Sequence, residues 1–465
     1  MDVKVIVVET PSLGDRSYLI HDGKNALVVD PQRDIDRITD LASREGVTIT
    51  AVAETHMHND YVSGGLQLAR EHGAAYLVNG EDPVGFSRTE MNDMREFAVG
   101  SFAVRAIHTP GHTYTHLSYE LMQQGSRSSG VFTGGSLLFG STGRPDLLGP
   151  EHATTLARMQ HGSARRLAEL LEDGAPIYPT HGFGSFCAAT PTSGSESTIG
   201  TEKGRNPALL NDLDAFVRET LAGLDVFPSY YRYMGPTNTA GPAPVDLSPL
   251  KNVSSEEIRL VLSSGGWVID LRPRAEWCQG HVLGSSSFGI DGSIATYLGW
   301  TYPYDKPLLL LGGSEEQVAT AQRELVRIGI DRPNGAYVGD MRALAPLRTT
   351  SQRNFTDVPD AIAQGGVQIL DVRRSSERTQ SHIEGSVHIP LHELSRRVEE
   401  LSSETEWWVH CAGAYRAAAA IGTIERAGRR AVLINEPYSA AHDVAGLRIN
   451  AGSADHTPVA PSDLE

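Results

Sequence analysis

Thr55-His56-Met57-His58-Asn59-Asp60-Tyr61 is the stretch on which the reading of this chain turns. It follows an apolar, β-branched run from Thr48 to Glu54 and precedes Gly64-Gly65, a turn into a helical pattern. Just past a strand's C-terminal end, side chains at i, i+2 and i+4 are released from the regular element and can converge on one point. Two further histidines stand in similar settings: His112 in Pro110-Gly111-His112-Thr113 and His181 in Pro179-Thr180-His181-Gly182. A divalent cation accepts neutral imidazole from such loops. A lone histidine is most often a satisfied structural residue, but a His-x-His-x-Asp loop with two more histidines after strands points to a metal.

Outward from this loop, strands are expected at Val3 to Val8, Ser17 to His21, Ala26 to Val29, Ala75 to Val78, Phe102 to His108, His116 to Glu120 and Val131 to Thr133. Helical patterns cover Ile35 to Arg44 and Leu156 to Glu172. This is a β-rich α/β domain with its polar clusters at strand ends. The Pro- and Gly-rich stretch Gly235 to Pro249 reads as a linker, and Thr190 to Gly204, rich in Ser, Thr and Gly, as an exposed loop.

The C-terminal half contains a repeat. Val268-Ile-Asp270-Leu-Arg272, with Glu276, His281, Gly284 and Ser285, recurs as Ile369-Leu-Asp371-Val-Arg373, with Glu377, His382, Gly385 and Ser386, each pair 101 positions apart. Strands alternating with helices in units of this length imply parallel sheets covered on both faces. Three domains are therefore expected, at 1–235, 250–350 and 355–450. In the second copy the strand Glu406 to His410 runs straight into Cys411-Ala-Gly-Ala-Tyr-Arg416, ahead of an alanine-rich helix. Backbone N–H groups and the helix N-terminus would stabilise a thiolate there, and Arg416 adds a fixed charge. The first copy has Gly312-Gly313-Ser314 at that place and cannot do thiol chemistry, so it reads as a spacer. Cys278 lies away from either loop and reads as structural.

Composition narrows the function classes. A formal charge of −17 repels nucleic acid and anionic membranes alike, so neither is expected as a partner. No apolar run reaches the ~20 residues of a membrane span, and the opening Met-Asp-Val-Lys-Val-Ile-Val-Val lacks signal-peptide order, so a cytoplasmic location is expected. Three cysteines, Cys187, Cys278 and Cys411, cannot form a disulfide framework.

Taken together, Thr55-His-Met-His-Asn-Asp60, Pro110-Gly-His112-Thr, Phe132-Thr-Gly134, Gly143-Arg-Pro-Asp146-Leu and Pro179-Thr-His181-Gly resemble the metallo-β-lactamase superfold. Within it the likeness is to persulfide dioxygenases fused to rhodanese domains. Cys411-x₄-Arg416, Asp371-x-Arg373 and Gly385-Ser-x-His388-Ile-Pro390 are similar to the rhodaneses. The resemblance implies an αββα sandwich followed by two rhodanese-like parallel-sheet α/β domains. It implies mononuclear Fe(II) held by His56, His112 and an aspartate, with zinc as the alternative.

That aspartate should end a Phe-Thr-Gly-Asp segment, but the chain reads Phe132-Thr133-Gly134-Gly135. Asp60, Asp146 or His58 could replace it, and a carboxylate restored at position 135 would then strengthen the site. Dinuclear hydrolases of the superfold also need a histidine where Tyr61 stands. The resemblance further implies a place near the metal for Cys187 and transfer of sulfane sulfur by Cys411 beside Arg416, and the guanidinium of Arg144 could pair with a substrate carboxylate such as that of glutathione or a smaller thiol. The expected activity is oxidation of a low-molecular-weight thiol persulfide to sulfite, coupled to sulfur transfer that yields thiosulfate. The alternatives are a sulfurtransferase with a degenerate metal site and a zinc thioester hydrolase of glyoxalase II type. Assembly as a homo-oligomer is expected.

Overall fold

In the computed structural model, which describes residues 3–123, 129–344 and 346–451, the run before the histidine loop is a strand, and side chains on both faces of it and of its neighbours are buried. One sheet holds β1 (Lys4–Thr10), β2 (Asp15–His21), β3 (Asn25–Val29), β4 (Thr48–Ala53), β5 (Ala75–Asn79) and β6 (Thr89–Met91) in that order. A second holds β7 (Glu96–Val99), β8 (Phe102–His108), β9 (Leu117–Gln123), β10 (Gly130–Gly134) and β11 (Ile177–Pro179), again as sequential neighbours.

Tyr18, Ile20, Leu27, Val29, Ala51 and Ala53 of the first sheet pack inward on Val104, Ala106, Leu117, Tyr119 and Phe132 of the second. The intervening Leu19, Ala26, Val28, Ile49 and Val52 face outward beneath α1 (Asp36–Glu45) and α2 (Gly65–His72). Ile107, Val131 and Ile177 face the other way, under α3 (Pro150–Leu170). The layers run helix, sheet, sheet, helix, as expected from the sequence.

Strand direction explains why the histidine loops meet. β3 and β4 are parallel, so Asp30 and Thr55–Tyr61 leave the first sheet at one edge. β8 and β10 both run antiparallel to β9, and β11 runs parallel to β10. The segments after β8, β10 and β11, which carry His112, Gly135 and His181, therefore share an edge too.

Two loop readings need correction. Tyr231–Ala240 is a helix with Pro236 inside it, so the linker proper is the irregular stretch after it, and the division into two compact units falls between Val245 and Asp246. Within Thr190–Gly204, Ile199–Lys203 is helical, and the buried Ile199 and Glu202 pack inside the domain. Glu202 accepts a hydrogen bond from Gly140 N (2.7 Å), which closes that segment onto the fold rather than leaving it exposed.

In the second unit, Gln352–Arg353, Arg430–Ile434, Glu406–His410, Val367–Asp371 and Val387–His388 form an all-parallel sheet in that order. Ahead of it in sequence, Ser286–Ser287, Trp267–Asp270, Leu308–Gly312 and Gly335–Val338 form another. The 101-residue spacing recurs in hydrogen bonds: Arg272 donates to Asp270 and to Gly280 O (2.8 Å), and Arg373 donates to Asp371 and to Ser381 O (2.8 Å). No helix among the described residues is long and apolar enough to cross a membrane.

Candidate metal centre and cysteine loop

His56, His112 and His181 are brought together, with ligand-capable nitrogens all within 4.8 Å of one another. All three are buried. Burial and the neighbouring histidines hold His56 well below the usual imidazole range, and burial followed by His181 pushes His112 down to about 3, so both are neutral as a metal ligand must be. Burial also opposes a charge on His181, but Asp60 and Asp15 outweigh it and push it up to about 10. Its Nε2 lies 3.3 Å from His56 Nε2, and an entering metal would take the place of that proton.

His58 turns elsewhere. Its Nε2 is 3.0 Å from Tyr61 Oη and 3.3 Å from both Asp30 and Glu54, and those carboxylates, against burial, push it up to about 9. Asp60 groups with His58 and His181, not with His56 and His112. Asp146 does not join: Arg144 grips both its oxygens at 2.7 Å. Arg144 is itself buried, donates to Phe186 O and Asp225 O, and lies 4.6 Å over the Phe227 ring. The expected substrate-binding arginine is thus a structural staple, and its carbonyl accepts from His112 Nδ1 at 2.9 Å. Cys187 is fully buried against Asp60, and burial followed by Asp60 and Asp15 raises its thiol well above the ordinary range, so it is held protonated.

Several supporting residues escaped the sequence reading. Asp30, just past β3 at φ 51°, accepts from Thr55 N (2.7 Å), Thr55 Oγ1 (2.8 Å) and Thr180 Oγ1, so one carboxylate ties the first histidine loop to the segment carrying His181. Asn238 donates to His58 O and Tyr61 O and accepts from Ser63 N, each at 2.8 Å. His116 accepts from Gly135 N (3.0 Å). A polar residue immediately after an apolar strand was the available signal for Asp30; Asn238 had none, since it lay in apparent linker.

In the second unit Cys411 is buried at the end of Glu406–His410, and Ala414 sits at φ 68°, a left-handed conformation that costs a non-glycine residue energy and turns the loop into the helix Tyr415–Arg426. Arg416 does not stand free over the loop. It donates to both oxygens of Glu377, at 2.6 and 2.7 Å, and this pair anchors the helix's first turn. The earlier copy is more than a spacer: Tyr415 Oη donates to Gly289 O (3.0 Å), and Tyr297 and Trp300 line a small cleft with Arg374, His392 and Arg416.

Residues 15–181 match the metallo-beta-lactamase superfamily, and residues 355–440 match the rhodanese-like domain. Over 174 residues the chain is 31% identical to a probable polyketide biosynthesis zinc-dependent hydrolase, BaeB, of Bacillus velezensis, an alignment covering 36% of this chain and 72% of that protein. Over 183 residues it is 28% identical to the atrochrysone carboxyl ACP thioesterase of Aspergillus terreus, covering 36% of this chain and 49%, about half, of that relative. A crystal structure of a metallo-beta-lactamase from Staphylococcus aureus subsp. aureus COL superposes with a TM-score of 0.64 at 27% identity, over 73% of this chain and 99% of that one. The αββα layers, the histidines at their shared edge and these matches together place the chain in the metallo-β-lactamase superfamily, with a rhodanese-like domain following in the same polypeptide.

Proposed function

We propose that the N-terminal domain oxidises a low-molecular-weight persulfide to sulfite and that Cys411 carries sulfane sulfur, the two activities together yielding thiosulfate. The observation that carries this reading is a buried cluster of three histidines in the same chain as a cysteine that ends a strand just ahead of a helix. A second metal is disfavoured because Tyr61 stands where a histidine ligand would, and His58 is engaged by Asp30 and Glu54.

When bound, divalent iron would supply the redox chemistry that lets O₂ react, which zinc does not. The chain's residues do the rest. His56, His112 and His181 fix the position of the ion, and their burial keeps bulk water from the reacting sulfur. In the overall reaction R–S–S⁻, O₂ and H₂O give R–S⁻, sulfite and two protons: the S–S bond breaks, the outer sulfur is oxidised, and O₂ is reduced. At Cys411 a persulfide gives its outer sulfur to sulfite, the S–S bond breaks, and thiosulfate leaves the cysteine thiolate behind.

Hydrolysis of a thioester is the second reading. It is favoured by the names of the relatives, a zinc-dependent hydrolase and an ACP thioesterase, and by a donor set rich in imidazole, which suits zinc. Protein purified without oxygen and analysed for metal decides between them when assayed for O₂ uptake with glutathione persulfide and for hydrolysis of an acyl thioester. Iron with O₂ uptake supports the first reading. Zinc with thioester cleavage replaces it, and neither activity leaves sulfur transfer alone.

A further inference from the structure

Position 135, which lacks a side chain to ligate anything, turns out to be occupied by a neighbour. A Cβ on Gly135 would lie 2.4 Å from Cδ2 and 2.7 Å from Cγ of His112. One on Gly143 would lie 2.6 Å from His112 Nδ1 and 2.4 Å from Gly135 O. The His112 ring therefore lies in a slot between two glycine backbones, and Gly143 N closes the slot by donating to Gly135 O at 2.8 Å. Neither glycine could become a larger residue without moving the ring.

The three rings share one polarity. His112 directs Nδ1 at Arg144 O (2.9 Å), and its buried Nε2 has no hydrogen-bond partner among the described residues. His56 directs Nδ1 at Thr55 Oγ1 (2.9 Å), whose own proton goes to Asp30 (2.8 Å). His181 directs Nδ1 at Asp15 (3.0 Å) and Asp60 (3.2 Å). Each ring thus has an acceptor behind it and Nε2 in front, the arrangement by which outer partners fix the tautomer of a metal-binding histidine. Nε2 of His181 and of His56 face each other at 3.3 Å, a hydrogen bond whose shared proton a metal bound by both rings would replace.

We infer that the site is not a damaged two-histidine, one-carboxylate centre but one rebuilt as three histidines, His56, His112 and His181, for a single divalent metal. Gly135 is the seat of His112. Asp15 and Asp60 supply the missing negative charge one shell further out, behind His181. With only neutral ligands in contact with it, the ion keeps its double charge for an anionic ligand such as a thiolate or persulfide. The inference needs the N-terminal domain to bind a metal, but not the reaction proposed above.

The test is a titration of the metal-stripped full chain with Co(II), followed by visible absorption and by metal content, and X-ray absorption of the Zn(II) form to count imidazoles. One ion per chain and three imidazoles are expected. His181→Ala should weaken Co(II) binding by about tenfold or more. Gly135→Asp should weaken it as well, because its carboxyl evicts His112, whereas a missing-ligand site would bind more tightly on gaining an aspartate. Circular dichroism and the thermal unfolding transition of each variant report whether the N-terminal domain remains folded. His181→Ala with wild-type affinity, Gly135→Asp with raised affinity, or two ions per chain overturns the inference. These measurements use neither substrate nor O₂. A three-histidine protein that leaves persulfide untouched sinks the proposed function alone, and an O₂-consuming protein whose His181→Ala still holds metal sinks this inference alone.

Discussion

Cys411 and Cys278 are equally buried, 1% and 2% exposed, yet their surroundings separate them. Cys278 packs in a helix of the earlier copy, where burial and then Glu425 push its thiol up to about 12. Cys411 ends a strand at a loop that turns into a helix. Cys411→Ser should therefore remove thiosulfate:thiol transfer and Cys278→Ser should leave it intact, as measured by thiosulfate consumption; substantial turnover in Cys411→Ser rejects the assignment. Glu377 makes a pH prediction. Burial would raise its carboxyl, but the two bonds and the charge of Arg416 overcome this and lower it from 4.5 to about 2. A carboxylate depressed in the folded state stabilises fully above its ordinary value and loses that contribution as pH falls from 4.5 toward 2. Glu377→Gln should cost about 3 kcal/mol at neutral pH and flatten the acid limb of urea midpoints over that window. An unchanged acid limb would show that another group titrates there.

At the scale of elements, the helix Tyr231–Ala240 and the turn into Tyr415–Arg426 carry the clearest consequences. Asn238 satisfies three backbone groups of the first histidine loop, so Asn238→Ala leaves buried donors and acceptors unpaired. The expected loss is about 2–4 kcal/mol, with lower metal retention after dialysis; a melting temperature and metal content like the wild type would show that water replaces the amide. Ala414 holds φ 68°, where glycine fits without strain. Ala414→Gly should raise thermal stability by up to about 1 kcal/mol while slowing sulfur transfer, because the relaxed loop no longer holds the cysteine in one geometry. A faster enzyme would contradict that role for the strain.

At the scale of the whole molecule, the two proposed activities would be linked through sulfite, which the first makes and the second consumes. With glutathione persulfide and O₂, wild type should release thiosulfate, and Cys411→Ser should accumulate sulfite at an unchanged rate of O₂ uptake. Identical products from both proteins would mean that the activities run separately. Much of this organisation was legible in the residues alone. The apolar, β-branched runs of the N-terminal strands, the 101-residue repeat, the histidine loop after Ala53 and the cysteine after His410 are local patterns, set by backbone geometry and side-chain chemistry within a few residues. What only the tertiary structure decided is which way the polar side chains turn. His58 goes to Asp30 and Glu54, Arg144 to Asp146, Arg416 to Glu377, and His181 rather than Asp60 or Asp146 faces His56. Asn238 and Gly143 act from far along the chain on loops they do not adjoin. A buried polar group turns toward whatever partner satisfies it at the least desolvation cost, and those partners reach it only after strands distant in sequence have paired, so no local spacing reveals the choice.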